Sequence, residues 1–132
     1  MAENPGTHIA TLRHAIESRR RVTLRYHDQP DLRVVEPHAL YESDRGEVML
    51  DGYQVRGYSE SGRSQPYWRP FRVRKIMAVA MLGEIFEPRS AEGYNPNRAR
   101  YRRGLMAVAV TGSSGGDTFV GPPARAPRRA TG

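Results

Sequence analysis

The 132-residue chain predicts a mainly β fold, in which one N-terminal helix precedes a small, strongly bent sheet or barrel and a flexible C-terminal tail follows it. Three observations carry this. Apolar residues near the N-terminus recur at helical spacing. Several short segments then alternate apolar with polar residues, separated by turn-forming residues. Past Phe86-Glu87-Pro88 both periodicities stop.

Ile9, Leu12 and Ile16 stand three and four residues apart, which is one face of an amphipathic helix, with Thr7 as its N-cap. Arg19, Arg20 and Arg21 then suit the negative end of the helix dipole. Val22, Leu24 and Tyr26 alternate with Thr23, Arg25 and His27 as a half-buried strand. His27 to Asp31 is turn chemistry, and Leu32 to Tyr41 resumes in extended form, with Pro37 confined to an edge or a bulge. Ser43-Asp44-Arg45-Gly46 reads as a hairpin turn into a strand over Val48 and Leu50, where Gly52 marks a bulge or a close backbone approach. A polar loop from Arg56 to Pro66 leads to strands over Tyr67 to Val73 and Met77 to Leu82.

The division that follows is a leader at 1–7, a domain at 8–89 and a basic, largely disordered tail at 90–132. A short helix between Tyr94 and Arg103 fits the start of that tail. Leu105 to Val110 either docks on the body or a partner, or is an unstructured apolar stretch, the reading preferred here.

Net charge is +7, but residues 98–132 hold seven arginines against the single acid Asp117. The body is therefore close to neutral. A basic tail adds salt-sensitive affinity for polyanions without defining a nucleic-acid-binding fold. Without cysteine, disulfides and thiol chemistry are excluded. No signal peptide pattern and no apolar run of membrane-spanning length is visible, so a bacterial-type cytoplasmic protein without membrane contact is expected.

The residues offer little to catalysis. Neither a GxxxxGK[ST] loop nor an HExxH pair occurs. His8, His14, His27 and His38 lack metal-ligand spacing, and Ser59, Ser61 and Ser64 sit in no nucleophile elbow. The expectation is a non-enzymatic protein with no cofactor and no metal. The positive signal is cationic strands: Trp68-Arg69-Pro70-Phe71-Arg72-Val73-Arg74-Lys75, with Arg33 and Arg25 on two others. Arginine takes phosphate or carboxylate with a planar fork, and neighbouring aromatics stack bases. Strict alternation puts Arg69 with Phe71 on one face and Trp68 with Arg72 on the other, unless Pro70 introduces a bulge. The plainer alternative is a solvated face with ion pairs, such as Arg33 or Arg72 to Glu36 or Asp51.

Leu24-Arg25-Tyr26, Arg33-Val34-Val35-Glu36-Pro37 with Leu40, Leu50, and Arg69-Pro70-Phe71-Arg72-Val73-Arg74-Lys75-Ile76 occur in the order and spacing of the WYL domain, which the chain resembles over about residues 9 to 86. It departs from that pattern at Val48-Met49-Leu50, where only the last letter of Trp-Tyr-Leu remains, and at Lys75, where an arginine is usual. The resemblance implies an Sm-like, SH3-type β-barrel and a ligand-sensing module linked to transcriptional regulation. It also implies contacts from Tyr26, Arg33, Arg69, Arg72 and Lys75, with Arg69 and Arg72 foremost for an anionic group. Trp68 is either a stacking platform or a packing residue at the barrel edge. The expected ligand is a nucleotide, an oligonucleotide or single-stranded nucleic acid. The alternative is a protein–protein or oligomerisation module working through barrel edge strands.

Overall fold

Helix α1 runs over Pro5–Ser18 and turns Leu12, Ala15 and Ile16, all fully buried, onto the sheet. The computed structural model describes residues 5–59 and 62–111. Pro5 lies in the first turn, where a missing N–H is tolerated. Thr7, expected to cap the helix, is inside it, and α1 begins within the stretch assigned to a leader. The arginine triplet does not close the helix either. Arg19 turns into the left-handed region at φ 54°, and Arg20 already opens the first strand.

The strands are β1 (Arg20–Tyr26), β2 (Arg33–Glu42), β3 (Val48–Gly57), β4 (Tyr67–Arg72), β5 (Ile76–Ile85) and β6 (Ala107–Val108). Every pairing is antiparallel, in the order β4-β3-β2-β1-β5. The predicted barrel is not what forms. The sheet is open, with β4 and β5 as its two edges, joined by a 3₁₀ turn at Val73–Lys75. Pro70 causes no bulge, because β4 keeps register with β3 from Gln54↔Tyr67 to Met49↔Arg72; on an edge strand its missing N–H is harmless.

β2 is the spine. β3 pairs along its length, β1 pairs only with Arg33–Val35, and β6 takes the same side further on, at Ala39 and Leu40. Between Pro37↔Gly52 and Ala39↔Asp51 the register shifts, leaving His38 as the extra residue of a bulge. Gly52 is needed there for space: a Cβ would lie 2.4 Å from Cγ1 of Val35.

Residues 86–111 are packed where a flexible tail was expected from residue 90. Phe86 N–H donates to Arg19 O at 2.9 Å, Ala109 N–H to His38 O at 2.7 Å and Met106 N–H to Leu40 O at 2.9 Å. Tyr94, Tyr101, Ala107 and Ala109 join the core. The only helical turns in this strap are short 3₁₀ pieces, at Ser90–Glu92 and Ala99–Arg102, and the apolar stretch around Ala107 docks on the body. The Arg-rich remainder, 112–132, lies outside the described residues.

Candidate ligand cleft

β1 ends at Tyr26, and the turn after it faces the edge strand β4 and the 3₁₀ turn. Between them is an open cleft of about 680 Å³ lined by Tyr26, Gln29, Arg69, Arg72 and Lys75, with His27, Asp28, Met49 and Pro70 completing it. Four of the six residues singled out in the sequence thus converge. Arg69 and Arg72 point to opposite faces of β4, yet both line the cleft, since side chains from either face of an edge strand reach its rim.

The donors are held in place. The backbone N–H of Arg72 donates to the Tyr26 hydroxyl oxygen at 3.0 Å. Among the described residues no acceptor engages the hydroxyl's own proton. The Arg69 guanidinium lies 5.4 Å from the Tyr26 ring centroid and 5.2 Å from that of Phe71, a cation–π arrangement that fixes its plane. Arg72 is half exposed, 3.5 Å from Glu47. Glu47 in turn accepts from Arg74 at 2.5 Å, and that bond holds its carboxyl below the usual range. The Lys75 ammonium meets no carboxylate within 4 Å among the described residues.

Arg33 and Trp68 do not line this cleft. Arg33 is only 1% exposed and works from behind: it donates to Gln29 at 2.6 Å and to Gln54 at 3.0 Å, and its guanidinium sits 5.8 Å from the Tyr26 ring. It therefore steadies two cleft residues. Trp68 faces the strap, where its indole N–H donates to Glu92 O at 2.8 Å.

The other charged clusters differ from the ion pairs the sequence suggested. Fully buried Glu36 is clamped between Arg21 and Arg89, each donating twice at 2.8–3.0 Å. The Arg89 pKa is raised chiefly by its bonds to Glu36, whereas at Arg21 burial, the largest single influence, is outweighed by bonds to Glu84 and Glu36 together, so that its pKa is raised too. Asp51 accepts from Tyr41 at 2.9 Å, Tyr101 at 2.8 Å and Arg100 at 2.7 Å. Burial, then the Asp51 charge, pushes the Tyr101 hydroxyl up to about 12 and raises that of Tyr41. His38, in the bulge, donates from Nδ1 to Glu36 O at 2.9 Å and accepts at Nε2 from the Arg89 N–H at 3.1 Å. That pattern requires the neutral ring, and burial among Trp68, Phe86 and Tyr94 lowers its pKa to about 4. Gln29 was not singled out from sequence, and Glu36 and Asp51 were named there with other partners than Arg21, Arg89 and Arg100. Glu36-Pro37 within an otherwise apolar run was the available sign of a buried carboxylate needing cations.

Among the described residues no group of three His, Asp or Glu side chains is placed to hold a metal ion, and no helix is long and apolar enough to cross a membrane.

The WYL domain profile matches residues 7–81. The chain belongs to the WYL domain family. The four cleft residues all fall inside the matched region, whereas the strap lies beyond it. Among solved structures, this WYL protein is similar to the Proteasome accessory factor B/C (PafBC) of Arthrobacter aurescens, with a TM-score of 0.53 and 22% identity over 69% of the present chain. That similarity concerns the fold. The chain spans 13% of the accessory factor's length. No curated protein matches it at a significant level.

Proposed function

We propose that this WYL domain is a non-enzymatic sensing module that binds an anionic ligand in the cleft between β1 and β4 and serves transcriptional regulation. The observation that carries the proposal is the donor set: the Tyr26 hydroxyl, two guanidiniums and one ammonium, the first two held by aromatic and backbone contacts. Such an array recognises phosphate oxygens. A shallower depression of about 620 Å³ adjoins it through His27, Asp28 and Lys75 and adds Arg25 and Arg74. The basic track is thus longer than one nucleotide needs, which favours a short single-stranded nucleic acid. The regulatory role rests on the family.

The test is a titration with labelled single-stranded DNA and RNA across a salt series, using the full chain and a chain ending at residue 111. Binding by both locates the site on the described body. Arg69→Ala is expected to weaken binding by about 1.5–3 kcal/mol, and Arg72→Ala by the lower end of that range because its side chain is 46% exposed. Unchanged affinity in both variants overturns the proposal.

The open sheet supports a second reading, as a protein-association module. Among the described residues the outer edges of β4 and β5 are both unpaired, and Ile85 on β5 is 60% exposed. The apolar segment around Ala107, the candidate docking peptide of this reading, already pairs with the protein's own β2. A monomeric mass by light scattering at high protein concentration would remove the self-association form of this reading.

A further inference from the structure

A second cavity, of about 580 Å³, opens between β4 and strap residues 92–101. Trp68 and Tyr94 stack in it at 6.1 Å between ring centroids and 25° between planes, and Tyr101 adds a third aromatic surface. Asp51, also lining it, is already satisfied by two tyrosine hydroxyls and by Arg100, so that acid and that arginine neutralise each other.

Two lining residues are incompletely satisfied. Nε of Arg69 and Nε of Arg98 are both shielded from solvent and find no acceptor among the described residues. The rest of the Arg98 guanidinium is anchored by donation to Gly93 O. Buried N–H donors without acceptors are rare in folded proteins, and two of them belong to guanidiniums of residues that line this one cavity. Arg69, Arg98 and Arg100 against Asp51 and Glu92 leave one net positive charge, which suits a monoanion and not a polyphosphate. The volume is that of a small-molecule site, and aromatic walls favour a flat ring.

We infer that this cavity binds a small planar monoanion, specifically an aromatic carboxylate, with the carboxylate accepting from Arg69 and Arg98 and the ring lying against Trp68 and Tyr94. Glu92, Tyr94, Arg98 and Tyr101 all lie beyond the matched family region, so the strap completes a site whose other wall is Trp68 and Arg69 of β4, within that region.

Trp68 is the chain's single tryptophan, so an amide-correlation spectrum of the ¹⁵N-labelled full chain contains one indole signal, from a group whose N–H donates to Glu92 O. That signal is followed during titration with benzoate and 2-naphthoate, with benzamide and inorganic phosphate as controls. The two carboxylates are expected to move it saturably and the controls to leave it in place. Arg98→Ala is expected to weaken binding about tenfold or more, as loss of a charged hydrogen bond does. Arg72→Ala and Lys75→Ala, confined to the first cleft, should leave it unchanged. Nucleic-acid binding at the first cleft should survive Arg98→Ala, so the two readings fail separately. A still indole signal, equal binding of benzamide, or loss of benzoate binding in Arg72→Ala but not in Arg98→Ala overturns the inference.

Discussion

His38 makes the stability of this domain depend on pH in a window where few other groups titrate. Its ring is fully buried, and both nitrogens are committed to the neutral form: Nδ1 donates to Glu36 O and Nε2 accepts from the Arg89 N–H. In the unfolded chain the ring titrates near 6.5, and in the fold near 4. Between those values the unfolded state binds the extra proton, so stability is complete above about pH 6.5 and declines as pH falls toward 4. A separation of that size is worth about 3 kcal/mol in full, and about 2 kcal/mol of it is already lost by pH 5. Urea denaturation at pH 7, 6, 5.5 and 5 should show this as a midpoint falling by roughly 1 M. His38→Phe fills the ring's place but cannot titrate. It is less stable at pH 7, since it strands the Arg89 N–H, yet its midpoint should be nearly flat from pH 7 to 5. Carboxylates such as Glu47, whose pKa is lowered by Arg74, add their own losses only at lower pH. An unchanged wild-type midpoint down to pH 5, or the same slope in His38→Phe, would refute the reasoning.

Other variants test the rest of the architecture. Glu36→Gln removes the charge facing Arg21 and Arg89, and calorimetric or denaturant unfolding should show a loss of about 3 kcal/mol, the usual penalty for breaking a buried pair. Gly52→Ala drives a methyl into Val35 and should cost about 1–3 kcal/mol, partly recovered in the double variant with Val35→Ala. Tyr101→Phe leaves Asp51 with one hydroxyl fewer and should cost about 1–2 kcal/mol at neutral pH, read by the same melts. A chain ending at Arg89 loses Tyr94, Tyr101, Ala107 and Ala109 from the core and should unfold far below one ending at residue 111, as circular dichroism would show.

The parts of this fold that local chemistry dictates were legible in the chain. Val22-Leu24-Tyr26 alternate and form β1, Ser43 to Gly46 turn into β3, and Gly52 sits at a close approach beside a bulge. The strap was not legible, because Tyr94, Tyr101 and Ala109 follow no helical or strand period and are fixed by tertiary bonds, Tyr94 to Ala109 O, Tyr101 to Asp51 and Ala109 N–H to His38 O. Strand number left a bent sheet or a barrel open and the family resemblance pointed to the barrel, but whether β4 meets β5 depends on the 3₁₀ turn at Val73–Lys75, which carries no strong sequence mark. In the cleft, motif spacing located Tyr26, Arg69, Arg72 and Lys75. It could not separate them from Arg33, since burial of an arginine behind Gln29 is a tertiary outcome.

The short β6 ladder has a meaning for solubility. Past Val35, β1 no longer pairs with β2, and the exposed flank of a long, almost wholly buried strand would invite another chain to add itself there. Ala107 and Val108 occupy that flank, and Ala109, Met106 and Arg103 bond to it on either side. The strap is therefore also a guard on a sticky edge. Conditions or substitutions that detach it should reveal themselves as concentration-dependent aggregation before global unfolding is seen.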